Sequence, residues 1–225
     1  MASTPKHLDT QTHVENPTTI HILRHGESLH NIQKPYPHPD PPLTETGTAQ
    51  ALALRPASLP DLILISPMTR TIQTALLAFS HLLGPAVPLT SCTEVQIWPD
   101  LREARHEICN KGVSRAELAA RFPGLDFGGC REQWDYPPDA GPGEAEVRAE
   151  RVRGRLAGLR GYGDVWVVTH RGFLAYLVQG ERFGVCEHRR YRFATEGEDG
   201  KRHGVNRDTV LPQDFGPTLL VPVDE

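Results

Sequence analysis

The chain is short of cysteine, of long apolar runs and of excess positive charge, and each shortage removes a class of explanation. Its four cysteines, Cys92, Cys109, Cys130 and Cys186, lie far apart and form no Cys-x-x-Cys pair. A disulfide framework or a zinc ribbon is therefore not expected, and a reducing cytoplasmic compartment is. The opening MASTPKHLDTQTHVEN carries no apolar signal segment, and no apolar run approaches the length of a bilayer span. No membrane partner is expected. A formal net charge of -4 argues against a general nucleic-acid binder. What remains, at 38% hydrophobic and 23% charged residues, is the balance of an ordinary globular protein. A length of 225 residues suits one domain whose core needs no metal or disulfide staple.

Residues 1–17 read as a flexible leader and 18–225 as the folded domain, with a lid-like insertion around 99–142. TTIHIL reads as a buried strand, and LTETGTAQALALRP as a helix ended by Pro56. DLILIS is a second strand, followed by PMTRTIQTALLAFSHLLG, whose Pro67 near the start and Gly84 at the end stand in helix order. SRAELAARF opens on Ser114 with Glu117 three residues on, a capping box. GEAEVRAERVRGRLAGLRG has its acids first and arginines later, as a helix dipole favours. DVWVVTH is the clearest strand, GFLAYLVQGERFG the helix after it, and RYRFATEGEDGKRHGV a strand with a polar turn. The proline-rich KPYPHPDPPL reads as a rigid surface loop. Strands alternating with helices predict an α/β fold, a three-layer αβα sandwich around a mostly parallel sheet.

Polar residues fall where such a sheet would use them. Arg24-His25-Gly26 follows one strand, Ser66-Pro67 another and Thr169-His170 a third. Sites in open α/β sheets form at the carboxyl ends of strands, so distant segments can bring His25, Arg70 and His170 to one edge. A histidine can act as a covalent nucleophile. If the group transferred is phosphoryl, the charge on its oxygens must be stabilised. Arginine suits that task, being always charged and able to grip two oxygens with one planar fork. Gly26 lets the backbone come close to an anion, and Glu27-Ser28 would open a helix whose free N–H groups favour one. The set reads as Arg24 and Arg70 clamping a phosphoryl group, His25 attacking phosphorus, and His170 adding charge or hydrogen bonds.

The blocks LRHGES..N, PLTETGTAQA, SPMTRTIQTA, LRE and VVTHRGFL, in that order from about Thr18 to about Leu177, resemble the histidine phosphatase superfamily in its phosphoglycerate-mutase-like branch. The ending, CEHRRYRF followed by LPQDFGPTLL, resembles fungal members. The resemblance implies a phosphoglycerate-mutase-like fold and a metal-independent phosphomonoester hydrolase without cofactor, acting on a small phosphorylated metabolite. His25 would accept the phosphoryl group as phosphohistidine, Arg24, Arg70 and His170 would form the phosphate pocket, and Asn31 and Ser28 would add hydrogen bonds. Glu103, in DLREARHE, falls where the family places the proton donor to the leaving group; Glu107, one helical turn on, is the alternative. A mutase is the second reading, disfavoured because REARHEICNKG stands where glycolytic mutases carry Glu-Arg-His-Tyr-Gly and a long insertion. A third is a member recruited to a non-phosphate reaction, or to ligand binding, in a specialised-metabolite pathway.

The chain also departs from its relatives. Arg171 replaces the glycine common after the second histidine; it either grips a second anionic group of the substrate or faces solvent. EICNKGVS departs from Cys-Asp-Thr-Gly at Asn110 and Lys111. Arg102, Arg105, Lys111 and Arg115 make this region basic, which suits an acidic substrate or a solvated face, so Arg102 and Glu107 join Arg171 as candidate substrate contacts. His21 reads as a satisfied strand histidine, and His30 as lining the pocket mouth or packing on a helix. His25 and His30 share no helix face and no His-Glu-x-x-His accompanies them, so no metal site is expected. Trp98 and Trp134 either wall the pocket or pack in the core.

Overall fold

The computed structural model describes residues 18–82, 88–135 and 143–223. The expected leader, the expected helix stop at Gly84 and residues 136–142 of the expected insertion lie outside them. Four parallel strands form the centre of a six-stranded sheet in the order β3-β2-β4-β1-β5-β8. They are β1 (Thr19–Arg24), β2 (Leu62–Ile65), β3 (Glu94–Ile97) and β4 (Asp164–Thr169). β5 (His188–Phe193) and β8 (Leu220–Pro222) extend the β1 edge antiparallel, and β6 (His203–Val205) pairs with β7 (Pro212–Asp214) as a separate hairpin.

Alternation along the strands creates two cores. Ile20 and Ile22, Leu62 and Leu64, and Val165 and Val167 pack on one face. They meet Ala149, Val152 and Leu156 of α5 (Glu144–Ala157) and Phe173, Leu174 and Leu177 of α6 (Arg171–Leu177). Leu23, Ile63, Ile65, Trp166 and Val168 pack on the other, against Met68 and against Ile72, Ala75 and Ala78 of α3 (Thr69–Ala78). α2 (Glu45–Ala53) packs on α3. Both faces of the central strands are covered, which is why these strands read as nearly continuous apolar runs.

Several helices are shorter than their sequence patterns. α2 starts behind Thr44, whose Oγ1 accepts from Gly47 N at 2.9 Å, and ends ahead of Pro56. α3 starts at Thr69 rather than at Pro67, because Asp40 takes the N–H and hydroxyl of Thr69 at 2.8 and 2.5 Å. The proline-rich stretch is thus an exposed loop clamped to α3 at its buried end. α6 stops at Leu177, since Val178 is already extended and Gly180 takes a φ of 113°. Ser114 caps α4 (Arg115–Arg121), accepting from Glu117 N at 3.2 Å. One close approach requires glycine: a Cβ on Gly47 would stand 1.8 Å from the carbonyl oxygen of Glu27. That contact seats the loop after β1 on the start of α2. Among the described residues no helix is long and apolar enough to cross a membrane.

His21 belongs to a cluster on the α3 side of the sheet. Its Nδ1 lies 2.8 Å from His188 Nε2 and its Nε2 3.1 Å from Asp164 Oδ1. The two imidazoles are within 5° of parallel, and their centroids lie 4.8 and 4.4 Å from the Trp166 ring. Burial, helped by Arg190, lowers both pKa values from 6.5 to about 4. Stability from such groups is present above the unfolded pKa and is lost as pH falls from 6.5 towards 4, because unfolding then takes up protons. The urea midpoint should therefore drop across this window, and the drop should be shallower in His21→Phe/His188→Phe. An equal drop in parent and variant would show that these rings do not carry it.

Candidate active site

The end of β1 is held on both sides. His25 N donates to the carbonyl of Thr169 at 3.1 Å, and Cys186 N donates to the carbonyl of His25 at 3.1 Å. The side chain is 2% exposed, and its Nδ1 lies 2.7 Å from the carbonyl oxygen of Gly26. A carbonyl only accepts, so Nδ1 carries the proton and Nε2 presents a lone pair. Gly26 is fixed in turn, donating its N–H to Thr74 Oγ1 at 3.0 Å. Burial, then the charges of Arg70 and Arg24, hold the His25 pKa well below 6.5. The ring is neutral at physiological pH, as a nucleophile must be.

His170, at the end of β4, places its ring 5.3 Å from that of His25. Its Nε2 lies 2.8 Å from Ser66 Oγ, at the end of β2, and its Nδ1 is buried with no hydrogen-bond partner. Burial and Arg70 hold its pKa well below 6.5. Arg24 donates from Nη1 to the carbonyl of Phe183 at 2.8 Å, while its Nε is buried and unpartnered. Burial, then Arg171, bring the Arg24 pKa down to about 10. Arg70, fully buried on the first turn of α3, donates to the carbonyl of Cys109 at 3.1 Å and to Asn110 Oδ1 at 3.0 Å. Asn110 is anchored through Nδ2 to the carbonyl of Arg105 at 3.0 Å. Two buried guanidiniums and two neutral imidazoles converge, and Arg24 Nε and His170 Nδ1 have no hydrogen-bond partner among the described residues. That combination suits a tetrahedral oxyanion, whose oxygens can satisfy such donors.

Ser28, His30 and Asn31 close a ring of hydrogen bonds beside His25, around the short helix α1 (Leu29–Ile32). Ser28 N and Oγ donate to Asn31 Oδ1 at 3.0 and 3.2 Å. His30 Nδ1 lies 2.8 Å from Ser28 Oγ, and Asn31 Nδ2 lies 3.2 Å from His30 Nε2. The His30 ring stands 5.7 Å from that of His25. Burial and the nearby arginines lower its pKa to about 3, so it too is neutral. His30 is thus a third pocket histidine that fixes Ser28 and Asn31.

Glu103 meets the start of α6. Its Oε1 accepts from Phe173 N and Ala104 N, both at 2.7 Å, and its Oε2 accepts from Gly172 N at 3.1 Å. A Cβ on Gly172 would lie 2.4 Å from Glu103 Oε1, so the glycine after Arg171 leaves room for the carboxylate. The backbone beneath is held by Arg148 of α5, a residue that the sequence reading did not single out. Arg148 donates to the carbonyls of Asp100, Arg102 and Glu103 at 2.8, 2.6 and 3.3 Å, and lies 4.3 Å over the Phe173 ring. In the sequence its only signal was an i,i+4 pairing with Glu144.

The other candidates fall elsewhere. Arg102 is buried against Glu144 at 2.7 Å, so it is engaged in an ion pair rather than offered to a substrate. Glu107 is exposed, 3.8 Å from Arg105, and residues 102–107 are not helical, so it does not follow Glu103 by one turn of a helix. Arg171 is half-buried on the first turn of α6. Trp98 packs in the core under Arg155, and Trp134 packs in the opposite core with its Nε1 donating to the carbonyl of Val113 at 3.1 Å. Among the described residues no three His, Cys, Asp or Glu side chains cluster as ligands for one ion.

The histidine phosphatase superfamily (branch 1) model matches residues 20–193. A probable phosphatase of Schizosaccharomyces pombe is 31% identical over 146 residues, 61% of this chain and 65% of that protein, so the chain spans a little under two thirds of its length. The adenosylcobalamin/alpha-ribazole phosphatase of Escherichia coli is 30% identical over 167 residues, 70% of this chain and 75% of the other. Among solved structures, the alpha-ribazole phosphatase of Shigella flexneri superposes with a TM-score of 0.53 at 22% identity, over 79% of this chain and 92% of that one. A mycobacterial glucosyl-3-phosphoglycerate phosphatase gives 0.52 at 18% identity, over 92% and 97%. The chain belongs to the histidine phosphatase superfamily.

The buried Arg148 gives this arrangement a test. Arg148→Leu leaves three carbonyls without their donor and should lower stability by about 3 kcal/mol, read from the urea midpoint. Arg151→Leu, which removes an exposed pair with Asp100, should change it by less than about 1 kcal/mol. Similar losses in both variants would contradict the role given to Arg148.

Proposed function

We propose that this chain hydrolyses phosphomonoesters of a small metabolite, without a metal ion, through a phosphohistidine at His25. The observation that carries the reading is the fixed state of His25. Its Nδ1 is committed to the carbonyl of Gly26, and its lone pair at Nε2 lies in a pocket with Arg24, Arg70 and His170.

Nε2 attacks phosphorus, forming the N–P bond as the P–O bond to the leaving group breaks. Arg24 and Arg70 neutralise the charge on the non-bridging oxygens, and His170 Nδ1, when it carries the proton, donates to one of them. Glu103, in its acid form, passes a proton to the departing oxygen. It then takes a proton from the water that attacks the phosphohistidine, releasing inorganic phosphate and restoring His25. Ser28 and Asn31, locked by His30, stand beside the nucleophile to orient the phosphoryl oxygens. Asn110 holds Arg70 in register. Cytoplasmic action on a free metabolite is part of the same reading.

Release of phosphate from 4-nitrophenyl phosphate in excess chelator should persist in the parent and fall by at least about a thousandfold in folded His25→Ala. Turnover that chelator abolishes, or that survives in the variant, would overturn the reading.

A further inference from the structure

Arginines around the pocket divide into those that are committed and one that is not. Arg24 holds the carbonyl of Phe183, Arg70 holds Asn110, Arg102 pairs with Glu144, and Arg105 pairs with Asp208. Arg182 pairs with Asp208 at 3.2 Å and Arg207 with Glu181 at 2.9 Å. Arg171, half-buried and one residue beyond His170, makes no hydrogen bond or ion pair with any of the described residues. It lines a shallow recess with Phe183, Arg182 and the paired Arg207 and Glu181, and its charge weighs on Arg24 and on His30. Phe183 joins the recess to the phosphate pocket, because its carbonyl is the one that holds Arg24.

A half-buried guanidinium that opposes the charge of Arg24 raises the energy of the empty site, and a bound anion lowers it again. The phosphoryl group itself is provided for by Arg24, Arg70 and His170. We propose that Arg171 binds a second anionic group, so that the natural substrate is a compact molecule carrying a carboxylate or a further phosphate besides the phosphoryl group transferred. This rests on the phosphatase reading above for the word substrate, while the anion site itself does not depend on turnover. The planar fork of Arg171 suits two oxygens of one carboxylate or phosphate.

Binding of non-hydrolysable phosphonates separates the two ideas. Affinities of phenylphosphonate, its ortho, meta and para carboxy derivatives, and propane-1,3-bisphosphonate would be measured by calorimetry on the parent, Arg171→Gln and Arg171→Lys. The parent should bind at least one doubly anionic ligand about tenfold or more tightly than phenylphosphonate. Arg171→Gln should erase most of that ratio, and Arg171→Lys should keep part of it. Which ligand shows the preference tells carboxylate from phosphate. Equal binding of all ligands by the parent, or an unchanged ratio in folded Arg171→Gln, would overturn the proposal. Failure of the phosphatase reading would instead show as phosphonate binding without hydrolysis of any matching phosphate ester.

Discussion

The pairing of β1 with β4 runs to the last residue of both strands, with Arg24 opposite Thr169. One hydrogen bond further, from His25 N to the carbonyl of Thr169, sets the two pocket histidines side by side. Side chains alternate along a strand, so a one-residue slip would send Leu23 and Val168 to the wrong core and turn Arg24 away from the pocket. The same apolar contacts that fix the register therefore fix the chemistry. β2 adds Ser66 to His170 from the other side, and α3, starting just beyond, adds Arg70.

What this frame assembles is expensive in isolation. Arg24, Arg70, His25 and His170 are all buried; Arg70 opposes the protonation of both imidazoles and Arg24 that of His25. The fold limits the cost with neutral acceptors: the carbonyls of Phe183 and Cys109 and the amide of Asn110 hold the arginines. Asn110 shows why a departure from a family pattern need not be a loss. Glu103 is handled differently, drawn onto three backbone N–H groups at the edge of the pocket, with Arg148 securing the chain beneath it. The positive site and the Glu103 carboxylate are thus supported by separate layers of the sandwich.

Much of this was legible in the sequence, for a physical reason. β1, β2 and β4 are buried on both faces and read as apolar runs, so the polar residues directly after them stand out. β3 was missed because Glu94 and Gln96 break its apolar run at the sheet edge, and β8 because three residues show no period. The ends of α3 and α6 were misplaced because Asp40 and Gly180, rather than the helical residues, decide them. Arg148 and Asn110 left little local mark, since the carbonyls that Arg148 holds and the Arg70 that Asn110 holds lie 40 to 48 residues away. Arg102 was offered to substrate because its ion-pair partner, Glu144, is 42 residues downstream. His30 was read only as a neighbour of the pocket; its bonds to Ser28 and Asn31 are local, yet composition does not distinguish a ring of hydrogen bonds from a solvated turn.

The central claim is that the carbonyl of Gly26 occupies Nδ1 of His25 and leaves Nε2 to react. Rapid quenching of the parent enzyme with a good phosphate ester, followed by peptide mapping and phosphorus NMR in alkali, tests it most directly. The account predicts a phosphoryl group on His25, bonded to Nε2. A phosphoryl group on Nδ1, on another residue, or on none during steady turnover would contradict it.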